Sequence, residues 1–254
     1  MTGRPPSIRL LARDYPAGWI VGPHCHAEGQ LVHAVAGVME VRTASRLWLV
    51  PPQRAVWIPP RVSHEMRTRG PVSLRTLYVD DADLASELLE RPRGVGVTPL
   101  MRALILRAID YQAFPVSPRR ERRLHDVIHD ELACLPADHI ALPIATDPRL
   151  QRACDMMLAD TGQTLSLVDI ARRSGLSIRT LGRLAHSELK CSASVWRQQA
   201  RIVMAVPLIV EGQSVMQVAS ATGYETPGAF AAMFKRIVGV TPSAFGACRS
   251  HIET

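Results

Sequence analysis

Two stretches in the last third of this 254-residue chain repeat one pattern, and that repeat leaves few folds open. The first, Ser166 to Leu189, carries Asp169-Ile170-Ala171, Ser174-Gly175-Leu176-Ser177 and Thr180-Leu181. The second, Ser214 to Val238, carries Gln217-Val218-Ala219, Thr222-Gly223-Tyr224-Glu225-Thr226 and Ala229-Phe230, an offset of 48 positions before the turn and 49 after it. Each copy holds a short segment of helical apolar spacing, a glycine, a Ser or Thr suited to cap a helix, and a second amphipathic segment. Two short helices joined by a glycine turn make a helix-turn-helix unit, here written twice, over about 167–189 and about 215–238.

In the first copy Gly175 permits the turn, Ser177 caps the next helix, and Leu181, Leu184 and Leu189 face a core. Arg179, Thr180, Arg183 and His186 then share the opposite stripe. Exposed arginines on a second helix suit the major groove of DNA, because a guanidinium pairs bidentately with guanine. In the second copy Thr226 caps a helix that has Pro227 at its first position and stops at Gly239. Its outer face offers Gly228, Ala229, Ala231 and Ala232, with Lys235 and Arg236 at the far end. Short side chains reach few base edges, so this copy is expected to position the protein on phosphate while the first discriminates sequence. A helix from about Val195 to Glu211, closed by Gly212, joins the copies. Its length of about 25 Å compares with the ~34 Å repeat of the major groove. Pro207 inside it is expected to remove a hydrogen bond and introduce a kink.

The charge is placed accordingly. The net charge is +7; from Arg149 onward 12 Lys and Arg face 7 Asp and Glu, against 18 and 16 before it, so most of the excess lies with the repeats. No apolar stretch approaches the ~18 residues of a membrane helix. The five cysteines form no Cys-x-x-Cys pair and the first residues lack the apolar run of a signal peptide, so the expected setting is the reducing cytoplasm, away from any membrane.

Residues 1–80 have strand character, with runs at Gly18 to Val21, Gln30 to Val35, Val38 to Arg42, Leu47 to Val50, Ala55 to Ile58 and Leu74 to Val79 between Gly and Pro. A small antiparallel barrel or sandwich is expected. Residues 81–135, and within them Asp83 to Leu135, take apolar spacing of three and four and read as a helical linker or dimerisation region. The stripe Leu124, Ile128 and Leu132 suits either pairing between subunits or burial against the chain's own barrel. The proline-dotted segment 136–148 reads as a linker, and 149–250 as an all-α domain, making the whole an α+β protein.

Several of these residues resemble a known family. Leu165-Ser166-Leu167, Asp169-Ile170-Ala171, Ser174-Gly175-Leu176-Ser177, Arg179-Thr180-Leu181, Trp196-Arg197-Gln198-Gln199, Gly223-Tyr224, Phe230, Phe234-Lys235-Arg236, Gly239 and Thr241-Pro242-Ser243 look like the AraC/XylS class of bacterial transcription regulators. The match covers about Asp147 to Arg249. The resemblance implies two helix-turn-helix subdomains joined by a long helix, binding double-stranded promoter DNA, commonly as a homodimer, with RNA polymerase a further partner of an activator. This chain departs from that pattern at Ala185, where Phe is usual, at Lys190 and Gly228, where Gly and Ser are common, and at Pro207.

The amino-terminal part is similar to a second pattern. Gly18, His24-Cys25-His26, Gln30 and Gly37 resemble the first cupin motif, with Gln in place of its Glu, and Pro59 to His64 resembles the second, with Arg61 replacing Gly and Thr68 in the place of Asn. If residues 23–27 are extended, His24 and His26 point to one face. His24, His26, Gln30 and His64 are then expected to converge in the barrel, as an effector pocket or as ligands of a divalent metal such as Zn, Ni, Fe or Mn. His33, alone on its strand, is expected to be structural, and Trp48 and Trp57 to fill the core. The favoured function is a one-component regulator in which a small-molecule or metal effector biases a DNA-binding domain. The rival is a metal-dependent cupin oxygenase or isomerase with a helical dimerisation appendage, disfavoured by the missing Glu and by repeats an enzyme does not need.

Overall fold

Two long strands organise the amino-terminal part of the computed structural model, which describes residues 8–80, 84, 86–138, 141–160, 162 and 164–247. Strands β1 (Ile8–Tyr15), β2 (Ile20–His24), β3 (Gly29–Thr43), β4 (Arg46–Val50), β5 (Arg54–Ile58) and β6 (His64–Val79) come first, and β3 and β6 run antiparallel along their whole length. The register of β3 slips twice, at Ala34/Ala36 and Ala36/Val38. Gly37 takes φ +74° there, and Gly70 of the facing strand takes +82°. A Cβ at Gly37 would meet the Pro71 carbonyl oxygen at 2.0 Å, so only glycine fits the bend. Beyond it the sheet has two halves. One follows the order β1-β6-β3-β5 and continues to β7 (Arg93–Gly96) and β8 (Ala137–Asp138); in the other, β2 pairs with the first residues of β6.

Burial alternates only along parts of β6, while β3, β4 and β5 are buried on both faces over most of their length. Leu31, Trp57, Leu77, Val79 and Val95 form one core with Leu88 of α1 (Ser86–Leu89), Met101 and Ile105 of α2 (Pro99–Ala113), and Ile128 and Leu132 of α3 (Pro118–Cys134), against which Leu124 packs. Of the two alternatives open for the α3 stripe, burial against the chain's own sheet is the one observed. Trp48 and Trp57 are both buried, and Trp57 Nε1 donates to the Leu88 carbonyl at 2.7 Å. Three expectations are revised. The runs Gln30 to Val35 and Val38 to Arg42 are one bent strand. The helical stretch contains β7, which pairs antiparallel with β5. The linker contains β8 and, in β9 (Ala141–Pro143), another short strand. Asp83, and the outermost residues 1–7 and 248–250 of the expected domains, lie outside the described residues.

The described residues form two units, 8–43 with 48–138 and 44–47 with 141–247. The second is helical: α4 (Pro148–Ala159), α5 (Leu167–Arg173), α6 (Ile178–Leu184), α7 (Ala193–Val210), α8 (Val215–Ala221), α9 (Pro227–Val238) and α10 (Pro242–Ala247). Trp196, Phe230 and Phe234 are the largest side chains buried in it. The joining helix α7 continues through Pro207, whose carbonyl accepts from Glu211 N at 2.8 Å.

Two outcomes test this account. Gly37→Ala should destabilise the chain by about 3 kcal/mol, because a Cβ has no room and the positive φ disfavours it, as a drop in urea midpoint. His33 is fully buried and its Nδ1 donates to the Arg54 carbonyl at 3.1 Å; burial holds its pKa down at about 4, from 6.5. Between those values the unfolded chain binds more protons, so stability is full above about pH 6.5 and is lost as pH falls toward 4. The drop in urea midpoint from pH 7 to pH 5 should shrink in His33→Gln.

Candidate nucleic-acid interface and histidine pocket

The sequence repeat is a repeat of hydrogen bonds. Ser166 Oγ caps α5 by accepting from Asp169 N at 3.1 Å, and 48 positions on Ser214 Oγ accepts from Gln217 N at 3.3 Å, the Gln217 side chain returning to Ser214 N at 2.9 Å. In the first turn Ser174 N donates to Ile170 O and Leu176 N to Ala171 O; in the second Thr222 N donates to Val218 O and Tyr224 N to Ala219 O. Gly175 and Gly223 take φ of +75° and +69°. The added residue then shifts the next caps to Ser177, which accepts from Thr180 N at 3.1 Å, and Thr226, which accepts from Ala229 N at 3.1 Å.

On α6, Ser177, Arg179, Arg183 and His186 are exposed and Thr180 is half-buried beside its cap, while Leu181 and Leu184 are buried. Beyond Leu184 the chain widens into a π-helical turn, Ala185–Leu189, closed by Lys190 at φ +60°. Lys190 thus holds the left-handed position at which glycine is the common residue. The wider turn breaks the even phase expected for the stripe: the His186 ring folds back to donate from Nδ1 to the Gly182 carbonyl at 2.9 Å. It also sends the Glu188 carboxylate to the residues before α4, where it accepts from Thr146 N at 2.6 Å and Asp147 N at 3.1 Å. Helical periodicity carries no trace of a π turn, so this contact was not legible in the sequence.

On α9, Thr226, Gly228, Ala229, Lys235 and Arg236 are all exposed. Arg236 also donates to Gln198 Oε1 on α7 at 3.0 Å, a tie the sequence did not announce. Two buried arginines one turn apart fasten α7 to both helix-turn-helix elements. Arg197 donates to Asp160 Oδ2 at 2.6 Å, and Asp160 also accepts from Thr164 N and Leu165 N in the approach to α5. Burial works against the Asp160 carboxylate, but these hydrogen bonds outweigh it and its pKa is lowered. Arg201 donates to the Thr222 carbonyl in the second turn at 2.6 Å, its guanidinium 3.9 Å from the centroid of the Tyr224 ring.

In the sheet, His24 ends β2, Gln30 lies on β3 and His64 begins β6, with His24 and His64 paired across the strands. His26 Nε2 and His64 Nε2 each stand 3.0 Å from Gln30 Oε1, and one ring nitrogen from each of His24, His26 and His64 lies within 4.8 Å of the other two. Gln30 and His64 are buried; His24 and His26 are half-exposed. Burial first, then the neighbouring His24 and His26, holds the His64 pKa down at about 4, although its bond to the Val62 carbonyl works the other way, so the ring is neutral near pH 7. Thr76 and Tyr78, missed in the sequence, orient Gln30: its amide donates to Thr76 Oγ1 at 3.2 Å and to the Tyr78 hydroxyl at 3.0 Å. Their two-residue spacing on a strand, facing one side, was the available signal. The motif position at which Arg61 replaces glycine has φ +63°, and its amide donates to the His26 carbonyl at 2.8 Å.

An antiparallel sheet domain with a side-chain pocket, together with a helical unit carrying paired helix-turn-helix elements, defines an effector-responsive, DNA-binding transcription regulator. Residues 5–133 match the AraC-like ligand binding domain and residues 170–247 the Helix-turn-helix domain. The chain belongs to the AraC-type family of helix-turn-helix transcriptional regulators. It is 32% identical over 222 residues to the HTH-type transcriptional regulator NimR of Escherichia coli, covering 87% of this chain and 81% of that protein. It is 29% identical over 121 residues to the HTH-type transcriptional regulator RipA of Corynebacterium glutamicum, covering 47% of this chain and 37% of that protein. Among solved structures it is similar to an AraC-type transcriptional regulator from Chromobacterium violaceum, at 28% identity and a TM-score of 0.40, covering 42% of this chain and 96% of that one. No helix among the described residues is long and apolar enough to cross a membrane.

Asp160→Ala should destabilise the helical unit by about 3 kcal/mol, since it strands the buried Arg197 charge as well as removing the acceptor of Thr164 N and Leu165 N. Thermal unfolding followed by circular dichroism reads this, and a change under 1 kcal/mol would mean that the pair is ornamental.

Proposed function

We propose that this regulator reads base edges with α6 and grips the duplex backbone with α9. Arg179 and Arg183 pair with bases in the major groove; Ser177, Thr180 and His186 lie beside them and contact the backbone or neighbouring bases. Thr226, Gly228 and Ala229 allow close approach of α9 to the duplex, and Lys235 and Arg236 neutralise phosphates. The observation that carries this reading is the bond-for-bond repeat of the two turns, which presents an exposed, arginine-bearing α6 and an exposed, small-residue α9 on equivalent elements.

The His24, His26, Gln30 and His64 pocket is the effector site in this reading, and effector binding shifts the equilibrium between states that bind the promoter differently. The protein acts in the cytoplasm as a homodimer, assembled through a surface other than the α3 stripe, and contacts RNA polymerase where it activates. A catalytic role forms no part of this reading, because the tandem units give the chain a complete non-enzymatic task.

Fluorescence anisotropy with promoter fragments, across a salt series, tests the division of labour. Arg179→Ala and Arg183→Ala should each cost about 1 to 3 kcal/mol on the preferred site and little on random duplex. Lys235→Ala should weaken all duplexes alike and lower the salt slope by about 1. Equal losses on specific and random DNA from the α6 variants would overturn the assignment of α6.

A further inference from the structure

The exposed stripe of α6 does not carry hydrogen-bond groups of one sense only. Arg179 and Arg183 end in guanidinium groups, which donate and never accept. Thr180 Oγ1 lies 2.8 Å from Ser177 Oγ, so those two hydroxyls bond to each other at the start of the helix. His186 differs from all of them. Its Nδ1 stands 2.9 Å from the Gly182 carbonyl, and a carbonyl oxygen only accepts, so in the neutral ring the proton sits on Nδ1 and Nε2 keeps a bare lone pair. Among the described residues none bonds to that lone pair.

The ring is also held on the outside of the element. Ala185 and Leu189 of the π turn are buried, which leaves His186 exposed, and the bond to Gly182 draws the imidazole back onto the turn that carries Arg183. Gly182 brings no side chain there, and a Cβ at that position would meet nothing within 4 Å, so the surface of this turn is open. A bare lone pair on such a surface selects its partner by elimination. Phosphate oxygens, guanine N7 and O6 and thymine O4 are all acceptors, and each would meet Nε2 lone pair against lone pair. The donors that the major groove presents are the exocyclic amines, N4 of cytosine and N6 of adenine.

We propose that His186, as the neutral ring, is a specificity-determining residue whose Nε2 accepts a hydrogen bond from the exocyclic amine of a cytosine or an adenine. It complements the arginines, whose donors choose guanine, so that one helix reads both the donors and the acceptors of the groove. Gly182 has two parts in this: its carbonyl fixes the tautomer, and its missing side chain leaves a base edge room to approach. The assignment rests on α6 lying in the major groove, as proposed above, and narrows the contact of His186 to one chemical group.

The test uses the whole chain and the duplex it prefers, recovered by selection from random sequences. Every position of that duplex is then carried through all four bases, with binding read by competition anisotropy at pH 8 and the fold of each variant by circular dichroism. Wild type should show a position at which cytosine or adenine exceeds guanine and thymine by about fivefold, the net worth of one hydrogen bond. There His186→Ala should level the four bases and leave the other preferences in place, and His186→Lys, which offers donors alone, should turn the choice to guanine. The preferred base tells the two amines apart, and its analogue lacking the amino group should lose the same factor of about five with wild type and nothing with His186→Ala. Guanine preferred by wild type at the position coupled to residue 186, or an equal loss on every duplex in His186→Ala, overturns the assignment; the first means a ring that donates, the second a phosphate contact or a structural role. If Arg179→Ala and Arg183→Ala also leave every base preference unchanged, the major-groove reading of α6 falls with it. If they relax guanine preferences while residue 186 couples to no base, the His186 assignment alone falls.

Discussion

Two guanidinium groups buried on α7 hold the helical unit in register. Arg197 reaches the Asp160 carboxylate and through it the residues that lead into α5, while Arg201, four positions later, reaches the Thr222 carbonyl in the turn between α8 and α9. Burying charge is costly, and a buried ion pair need not stabilise a fold more than apolar packing does. It does something packing cannot: it is satisfied in one geometry only. Two short helix-turn-helix units have small cores, and a helix that slid or rolled between them would strand a charge at either end. The spacing of α6 and α9 on one helix is thereby fixed by electrostatics, with Trp196 and the Phe230–Phe234 pair supplying the apolar burial around it.

The sheet unit depends on a constraint of a different kind. Strands as long as β3 and β6 would make a flat hairpin with one face to water; the register slips around Ala36 and the left-handed Gly37 bend them, and the two halves of the sheet then enclose side chains. That bend brings Gln30, from the half paired with β5 and the end of β6, within hydrogen-bonding reach of His64 at the start of β6. Polar groups sealed in this way must find partners among themselves, and Gln30 does so with Thr76, Tyr78 and the two imidazoles.

Much of this was legible along the chain. The helix-turn-helix repeat could be read because caps and left-handed turn positions are local: Ser177 and Thr226 bond to amides three residues on, and Gly175 and Gly223 serve turns a few residues long. The His24, His26, Gln30 and His64 set was legible as a pattern of residue types. Illegible were the features set by neighbours distant in sequence. Nothing in residues 93–96 distinguishes a strand from a helix-linking loop until β5 offers its edge, and the α3 stripe suits a second subunit as well as the sheet it covers. The π turn at Ala185–Leu189 is a departure from periodicity, so an argument from periodicity passes over it.

The amino-acid sequence by itself determined that the chain ends in two capped helix-turn-helix elements with cationic side chains on the first, since each element is specified by contacts within a single turn of backbone. Tertiary structure alone decided where Glu188, Arg197, Arg201 and Arg236 spend their charge, which face of α3 is consumed, and that His26 and His64 both come within 3.0 Å of the Gln30 amide. Those outcomes depend on which segments the bent sheet and the joining helix bring together, and such proximity is a property of the packed chain that no local stretch encodes.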